Sequence, residues 1–157
     1  MPSPNENGHY TYEDYYSWDD GKRYELIAGV PYHMTPSPST VHQLTSGELL
    51  LQLANFLKGK PAKVFVAPLD VRLNADGADD TVVQPDLLVV CDPSKLTDER
   101  CCVGAPDLTI EILSPSTALR DRTIKLELYQ SAGVCEYWMV DPDAKTVDAC
   151  ILDNGRY

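Results

Sequence analysis

Leu108-Thr109-Ile110-Glu111-Ile112-Leu113-Ser114-Pro115-Ser116-Thr117 is the stretch on which the fold turns. Residues 108–113 put apolar side chains on both faces of a strand, which implies burial on both. The Ser/Pro turn that follows opens a helix, expected to run to about Ala132 and to close at Gly133. Residues 135–140 then read as a strand, Asp141-Pro142-Asp143 as a turn and residues 147–152 as a last strand. A strand–helix–strand unit this late in a mixed chain belongs to an α+β fold.

Working back toward the N-terminus, residues 82–91 form an apolar run broken by Pro85-Asp86. A polar loop is expected between it and Leu108. Short strands are expected at 64–66 and 69–73, followed by an acidic, Gly-containing loop at 74–80. The clearest helix runs over about 41–58 and stops at Gly59-Lys60-Pro61. Leu49, Leu50, Leu53, Phe56 and Leu57 make its apolar face, with Glu48, Gln52 and Asn55 on the wet side. A Pro/Ser stretch at 35–39 precedes it. Before that, 24–27 and 30–34 read as a hairpin turning at Ala28-Gly29. A short helix starts at Thr11 and ends at Asp19-Asp20-Gly21, with Tyr12, Tyr15 and Tyr16 as a stripe on the core. Residues 1–9 read as a disordered tail and 10–157 as a single domain. Asn154-Gly155 is a preferred hairpin turn with only two residues after it, so the last return strand is expected to be missing.

Length and charge narrow the function. A chain of 157 residues with 43% apolar residues suits one domain with a real core. Thirteen basic against 24 acidic residues give a net charge of −11, which excludes a generally cationic nucleic-acid coat but not local basic patches. No apolar run approaches the ~18–20 residues of a membrane span, and the polar N-terminus is no secretory signal. Five cysteines without a C-x-x-C pair fit a reducing cytoplasm and support neither a disulfide scaffold nor structural zinc.

The chemistry is expected around Glu111. A buried carboxylate is costly unless it is paired or binds a metal, so Glu111 is either a salt-bridged structural acid or a ligand. Asp86, just after a proline and ahead of four apolar residues, offers the same choice. Asp107 is a rival, but four residues before Glu111 it lies roughly 13 Å along the same strand. Lys125 shares helical spacing with Asp121 and Tyr129, so the helix can return it beside Glu111; the alternative is an exposed Asp121–Lys125 pair. Carboxylates with a lysine suit a hard cation such as Mg²⁺ acting on a phosphate. His42 reads as a hydrogen-bonded residue at the core edge rather than a ligand.

Arg23-Tyr24-Glu25-Leu26-Ile27-Ala28-Gly29, His42-Gln43, Gln84-Pro85-Asp86-Leu87 and Glu111-Ile112-Leu113-Ser114-Pro115-Ser116-Thr117, followed by Asp121, Lys125 and Tyr129, resemble the Uma-two family of restriction-endonuclease-like proteins in the PD-(D/E)XK nuclease superfamily. The resemblance implies a restriction-endonuclease-like α+β fold: a central mixed sheet flanked by helices, with an N-terminal helix and hairpin. It implies a DNA endonuclease dependent on Mg²⁺ or Mn²⁺. Asp86 and Glu111 would be the metal-binding acids, with the Ile112 carbonyl as a backbone ligand and Glu25 as an additional active-site acid. In the superfamily's D/E-x-K the lysine would fall at Leu113; here the family places it on the next helix, as Lys125. Arg120 and Arg122 flank the proposed site as candidate phosphate contacts, whereas Lys58, Lys60 and Lys63 read as solvated charges. A symmetric homodimer would cover open sheet edges and suit two-fold DNA. The competing readings are a binding or assembly protein that keeps the fold without turnover, and a phosphodiesterase on a small nucleotide.

Overall fold

The computed structural model describes residues 3–5, 7–34 and 38–157. Met1, Pro2 and Glu6 of the expected tail, and Thr35, Pro36 and Ser37 of the Pro/Ser stretch, lie outside them. The elements are α1 (Tyr12–Ser17), β1 (Tyr24–Ile27), β2 (Val30–His33), α2 (Thr40–Leu57), β3 (Lys63–Val66), β4 (Asp70–Arg72), β5 (Val82–Val83), β6 (Leu87–Val90), β7 (Cys101–Val103), β8 (Leu108–Ile112), α3 (Ala118–Arg122), α4 (Ile124–Ala132), β9 (Glu136–Asp141) and β10 (Thr146–Ile151). Local chemistry sets their ends. The Thr11 N–H donates to the Asp14 carboxylate at 2.9 Å, starting α1. Ala28 and Gly29 both hold positive φ, +49° and +76°, as a tight hairpin turn requires. The Ser39 hydroxyl accepts from the His42 N–H and caps α2.

Two five-stranded sheets form, in the orders β2-β1-β5-β4-β7 and β10-β9-β8-β6-β3. Each is mixed, with one parallel pair: β4 with β7, and β8 with β9. The central mixed β-structure flanked by helices that the resemblance implies is built as two sheets; Pro85, which cannot donate to a ladder, separates β5 in one from β6 in the other.

Strand alternation then builds the layers. Leu87 and Val89 of β6, with Leu108, Ile110 and Ile112 of β8, pack against Leu49, Leu50, Leu53 and Leu57 of α2. The intervening residues, Leu88 and Val90, face the other way and join Ile27, Val71 and Val83 of the first sheet, together with Tyr129 of α4. Leu26 and Val82 face outward beneath Tyr12 of α1. The order is therefore α1, first sheet, inter-sheet core, second sheet, α2. Glu111 alternates with Ile110 and Ile112, and Glu25 with Leu26, so both carboxylates point into the inter-sheet layer.

Four expectations need correction. The helix after Glu111 is broken at Thr123, where φ is −124° and ψ is −82°, so α3 and α4 are separate. The polar loop after Cys91 contains a 3-10 turn at Pro93–Leu96 and the strand β7, whose Cys101 and Cys102 are buried. Phe56 is 67% exposed rather than on the packed face of α2, with the Lys60 ammonium 3.4 Å above its ring. Of the tyrosine stripe, Tyr12 is buried but Tyr16 is exposed beneath the Arg100 guanidinium. Among the described residues no helix is long and apolar enough to cross a membrane.

Candidate active site

Three elements from different layers deliver one charged cluster. β1 supplies Glu25, β8 supplies Glu111 and α4 supplies Lys125, with exposures of 0%, 5% and 3%. The Lys125 ammonium donates to Glu25 Oε1 at 2.8 Å and to Glu111 Oε1 at 2.7 Å. The Tyr129 hydroxyl, one turn further along α4, donates to the same Glu111 oxygen at 2.8 Å. The Gln84 backbone N–H donates to Glu25 Oε1 at 2.9 Å. Glu25 Oε2 is left buried without a hydrogen bond, with the Arg120 guanidinium 4.0 Å away. An exposed helix with a surface Asp121–Lys125 pair is therefore not what forms: Asp121, Lys125 and Tyr129 are all buried.

The lysine's position follows from the alternation. Leu113 shares the inner face of the β8 segment with Glu111, but it is buried in the inter-sheet core and its N–H bonds the Val140 carbonyl. A charge there would have no partner in that apolar layer. Lys125 reaches Glu111 from the next element instead.

Asp86 comes from the point where the second ladder stops. Leu87 pairs with Ile110, and the same register continued by one residue sets Asp86 across from Glu111. Past that point the Asp86 side chain takes over from the backbone: Oδ2 accepts from the Ile112 N–H at 2.7 Å. The same oxygen contacts His42 Nε2 at 3.2 Å. Asp107, the rival acid, lies at the other end of β8 and accepts from the Cys91 N–H.

The charged cluster and Asp86 border one cleft of about 660 Å³. Glu25, Asp86, Glu111, Asp121 and Lys125 line it, together with Arg23, Arg120, His42 and the hydroxyls of Ser39, Ser114, Ser116 and Thr117. Arg122 does not border the cleft; its guanidinium pairs with Asp148 at 2.8 Å.

Burial pushes the Glu111 carboxyl up, to about 8, against the opposing pull of the Lys125 ammonium. Burial raises Asp121 as well, again opposed by Lys125. For Lys125 burial works against the charge, yet the Glu111 and Glu25 carboxylates outweigh it and hold the ammonium above its ordinary value. His42 is raised chiefly by its contact with Asp86.

The donor set suits a hard cation. Asp86 and Glu111 offer carboxylate oxygens, and each holds its protein hydrogen bonds on one oxygen only, Oδ2 and Oε1 respectively. Among the described residues no three His, Cys, Asp or Glu side chains converge as a preformed cluster. Mg²⁺ is commonly held by one or two carboxylates and completed by waters and substrate phosphate, and two such carboxylates face this cleft. The residues present therefore fit such an ion.

Sequence alone assigns no part in this site to Tyr129 or Gln84, whereas His42 is expected as a hydrogen-bonded residue at the core edge and is one. Tyr129 bonds Glu111 directly, His42 touches Asp86, and Gln84 supplies its backbone N–H to Glu25. Helical spacing from Lys125 was the one signal for Tyr129; the other two depend on contacts across 44 and 59 positions.

The family model "Uma2: Putative restriction endonuclease" matches residues 12–157. The "Uncharacterized protein slr1290" of Synechocystis sp. is 28% identical over 140 residues, spanning 87% of this chain and 70% of that protein. Among solved structures, "a putative nuclease belonging to DUF820 from Anabaena variabilis" matches with a TM-score of 0.71 and 24% identity, over 89% of this chain and 78% of that one. At that identity the likeness establishes the fold, a restriction-endonuclease-like α+β architecture. With the match beginning at the first helix and running through both sheets to the last residue, the chain belongs to the Uma2 family of restriction-endonuclease-like proteins.

Proposed function

We propose that the protein is a divalent-metal-dependent phosphodiesterase, and specifically a DNA endonuclease. The observation that carries this is the meeting of Lys125 with Glu25 and Glu111 in a cleft that Asp86 also lines. Asp86 and Glu111, with the Ile112 carbonyl, would hold Mg²⁺ or Mn²⁺. A bound ion of this kind lowers the pKa of water and neutralises charge on a phosphate. The chain's own groups do the rest. Lys125 presents a point charge to the attacking water or to the charge that builds on the phosphate. Tyr129 and Glu25 fix Lys125 and Glu111 in place. His42 and the Ile112 N–H hold Asp86 by one oxygen and leave the other free. Arg120 lies at the cleft wall, where a phosphate can meet it.

The test is a cleavage assay on several DNA and RNA forms with Mg²⁺ or Mn²⁺, with chelator and with variants. Chelator abolishes cutting. Asp86→Ala and Glu111→Ala each abolish turnover and weaken metal binding in calorimetry, whereas Lys125→Ala slows cutting by about 10²-fold or more while metal still binds. A Glu111→Ala protein that binds metal and cuts like the parent excludes this site.

One observation favours a second reading, a binding or assembly module without turnover: Lys125 is engaged by both Glu25 and Glu111 as a structural ion-pair network would be. Metal binding without cleavage of any nucleic acid decides for it. A symmetric homodimer is part of the proposal, because the edge strand β10 exposes Val147 and Ile151. Light scattering at micromolar concentration is expected to give twice the monomer mass. Five free thiols suit a reducing cytoplasm as the place of work.

A further inference from the structure

The cations of the chain are not where a duplex needs them. Of the thirteen Lys and Arg residues, Arg72 is held by Asp79, Arg100 by Asp98 and Arg122 by Asp148; Lys145 and Arg156 flank β10, and Lys22, beside Arg23, borders a second, smaller cleft and not this one. Lys95 donates to the Ala105 carbonyl, and Lys125 is buried between two carboxylates. The cluster of Lys58, Lys60 and Lys63 lies at the wrong end of α2. That helix begins at the cleft with Ser39 and His42. Its far end is about 24 Å away at 1.5 Å per residue. Among the described residues, the cleft is lined by Arg23 and Arg120 as its accessible cations.

Duplex binders commonly neutralise about 6–10 phosphates. Two guanidinium groups cannot do that on a surface with a net charge of −11. Beside the acidic floor and Lys125, the cleft wall carries a hydroxyl cluster: Ser114 Oγ lies 3.1 Å from Ser116 Oγ and 3.0 Å from Thr117 Oγ1. Hydroxyls can meet sugar and phosphate oxygens without releasing counterions.

We infer that the cleft receives a single DNA strand, with about two phosphates met by Arg23 and Arg120, and that an intact duplex is excluded. This rests on the phosphodiesterase reading of the same site and names the form of its substrate. The acidic floor makes a divalent ion a condition of binding.

Fluorescence anisotropy of the whole protein with Ca²⁺ tests it, using a labelled twelve-nucleotide single strand and the duplex of the same sequence. The single strand is expected to bind at least tenfold tighter. Its log affinity should fall with log salt at a slope of about −1.4, two contacts at ~0.7 each. Arg120→Gln should remove about half of that slope; should that variant not fold, Arg23→Gln carries the same expectation. Duplex binding as tight as single-strand binding, a slope steeper than −4, or no binding of either probe overturns the inference. Cleavage of the same two probes with Mn²⁺ separates it from the reading it rests on. Single-strand binding without cleavage upholds the inference and sinks the hydrolytic proposal. Duplex cleavage without single-strand preference overturns the inference and leaves hydrolysis standing.

Discussion

Lys125 is a residue whose removal should be felt twice. Its ammonium is the shared partner of two buried carboxylates. Taking one partner from a buried ion network typically costs about 3–5 kcal/mol, because the charge left behind is unpaired. Lys125→Met is therefore expected to lower stability by about that amount in urea unfolding, and Glu25→Gln in the same background should restore part of it. A second prediction concerns pH. The Glu111 carboxyl is pushed up to about 8, so below that value it carries a proton that an incoming metal must displace. Mn²⁺ affinity should then climb as pH rises toward 8, by up to about tenfold per pH unit, with one proton released. Calorimetry in two buffers of different ionisation enthalpy checks both. At this scale the sequence was informative where burial is costly. An acid amid Leu, Ile and Val stands out, so Glu111 and Asp86 could be singled out from the run they interrupt. Glu25 lies at a strand start beside Arg23 and Tyr24, and only the family resemblance pointed to it. His42 and Gln84 act through contacts formed by chain folding, which no local pattern encodes.

Elements were legible wherever the apolar period was long. α2 and β8 form close to where the pattern places them. The failures have physical causes. Helical spacing continues through residues 118–132, but the backbone breaks at Thr123, where φ −124° and ψ −82° leave the helical region. The 121–125–129 spacing still brings its three side chains inward, because α4 docks Lys125 and Tyr129 on Glu111. β7 is three residues long between polar neighbours, too short for a period to declare itself. One element boundary supports a prediction. Gly133 ends α4 at φ +81°, with its N–H on the Gln130 and Tyr129 carbonyls. A side chain in that left-handed conformation costs about 1–2 kcal/mol, so Gly133→Ala should lower the urea midpoint by that equivalent while leaving metal binding unchanged.

On the scale of the whole molecule, a surface with a net charge of −11 repels itself. Raising sodium chloride from about 10 to 150 mM screens that repulsion beyond about 8 Å, and the urea midpoint is expected to rise; a fall would mean that attractive surface pairs dominate. The bridge between the sheets also fixes when the protein can finish forming. Glu25 and Lys125 stand 100 positions apart. At a synthesis rate of about 5–20 residues per second, the carboxylate leaves the ribosome roughly 5–20 s before the cation that will neutralise it. Through that interval the N-terminal hairpin has no native place to bury its acid, and the first sheet cannot close over the second. A ribosome-stalled chain that ends before α4 should accordingly be cut readily by protease and held by chaperones. A chain that includes α4 and the strands after it should resist, so completion of this fold waits until Lys125 is available.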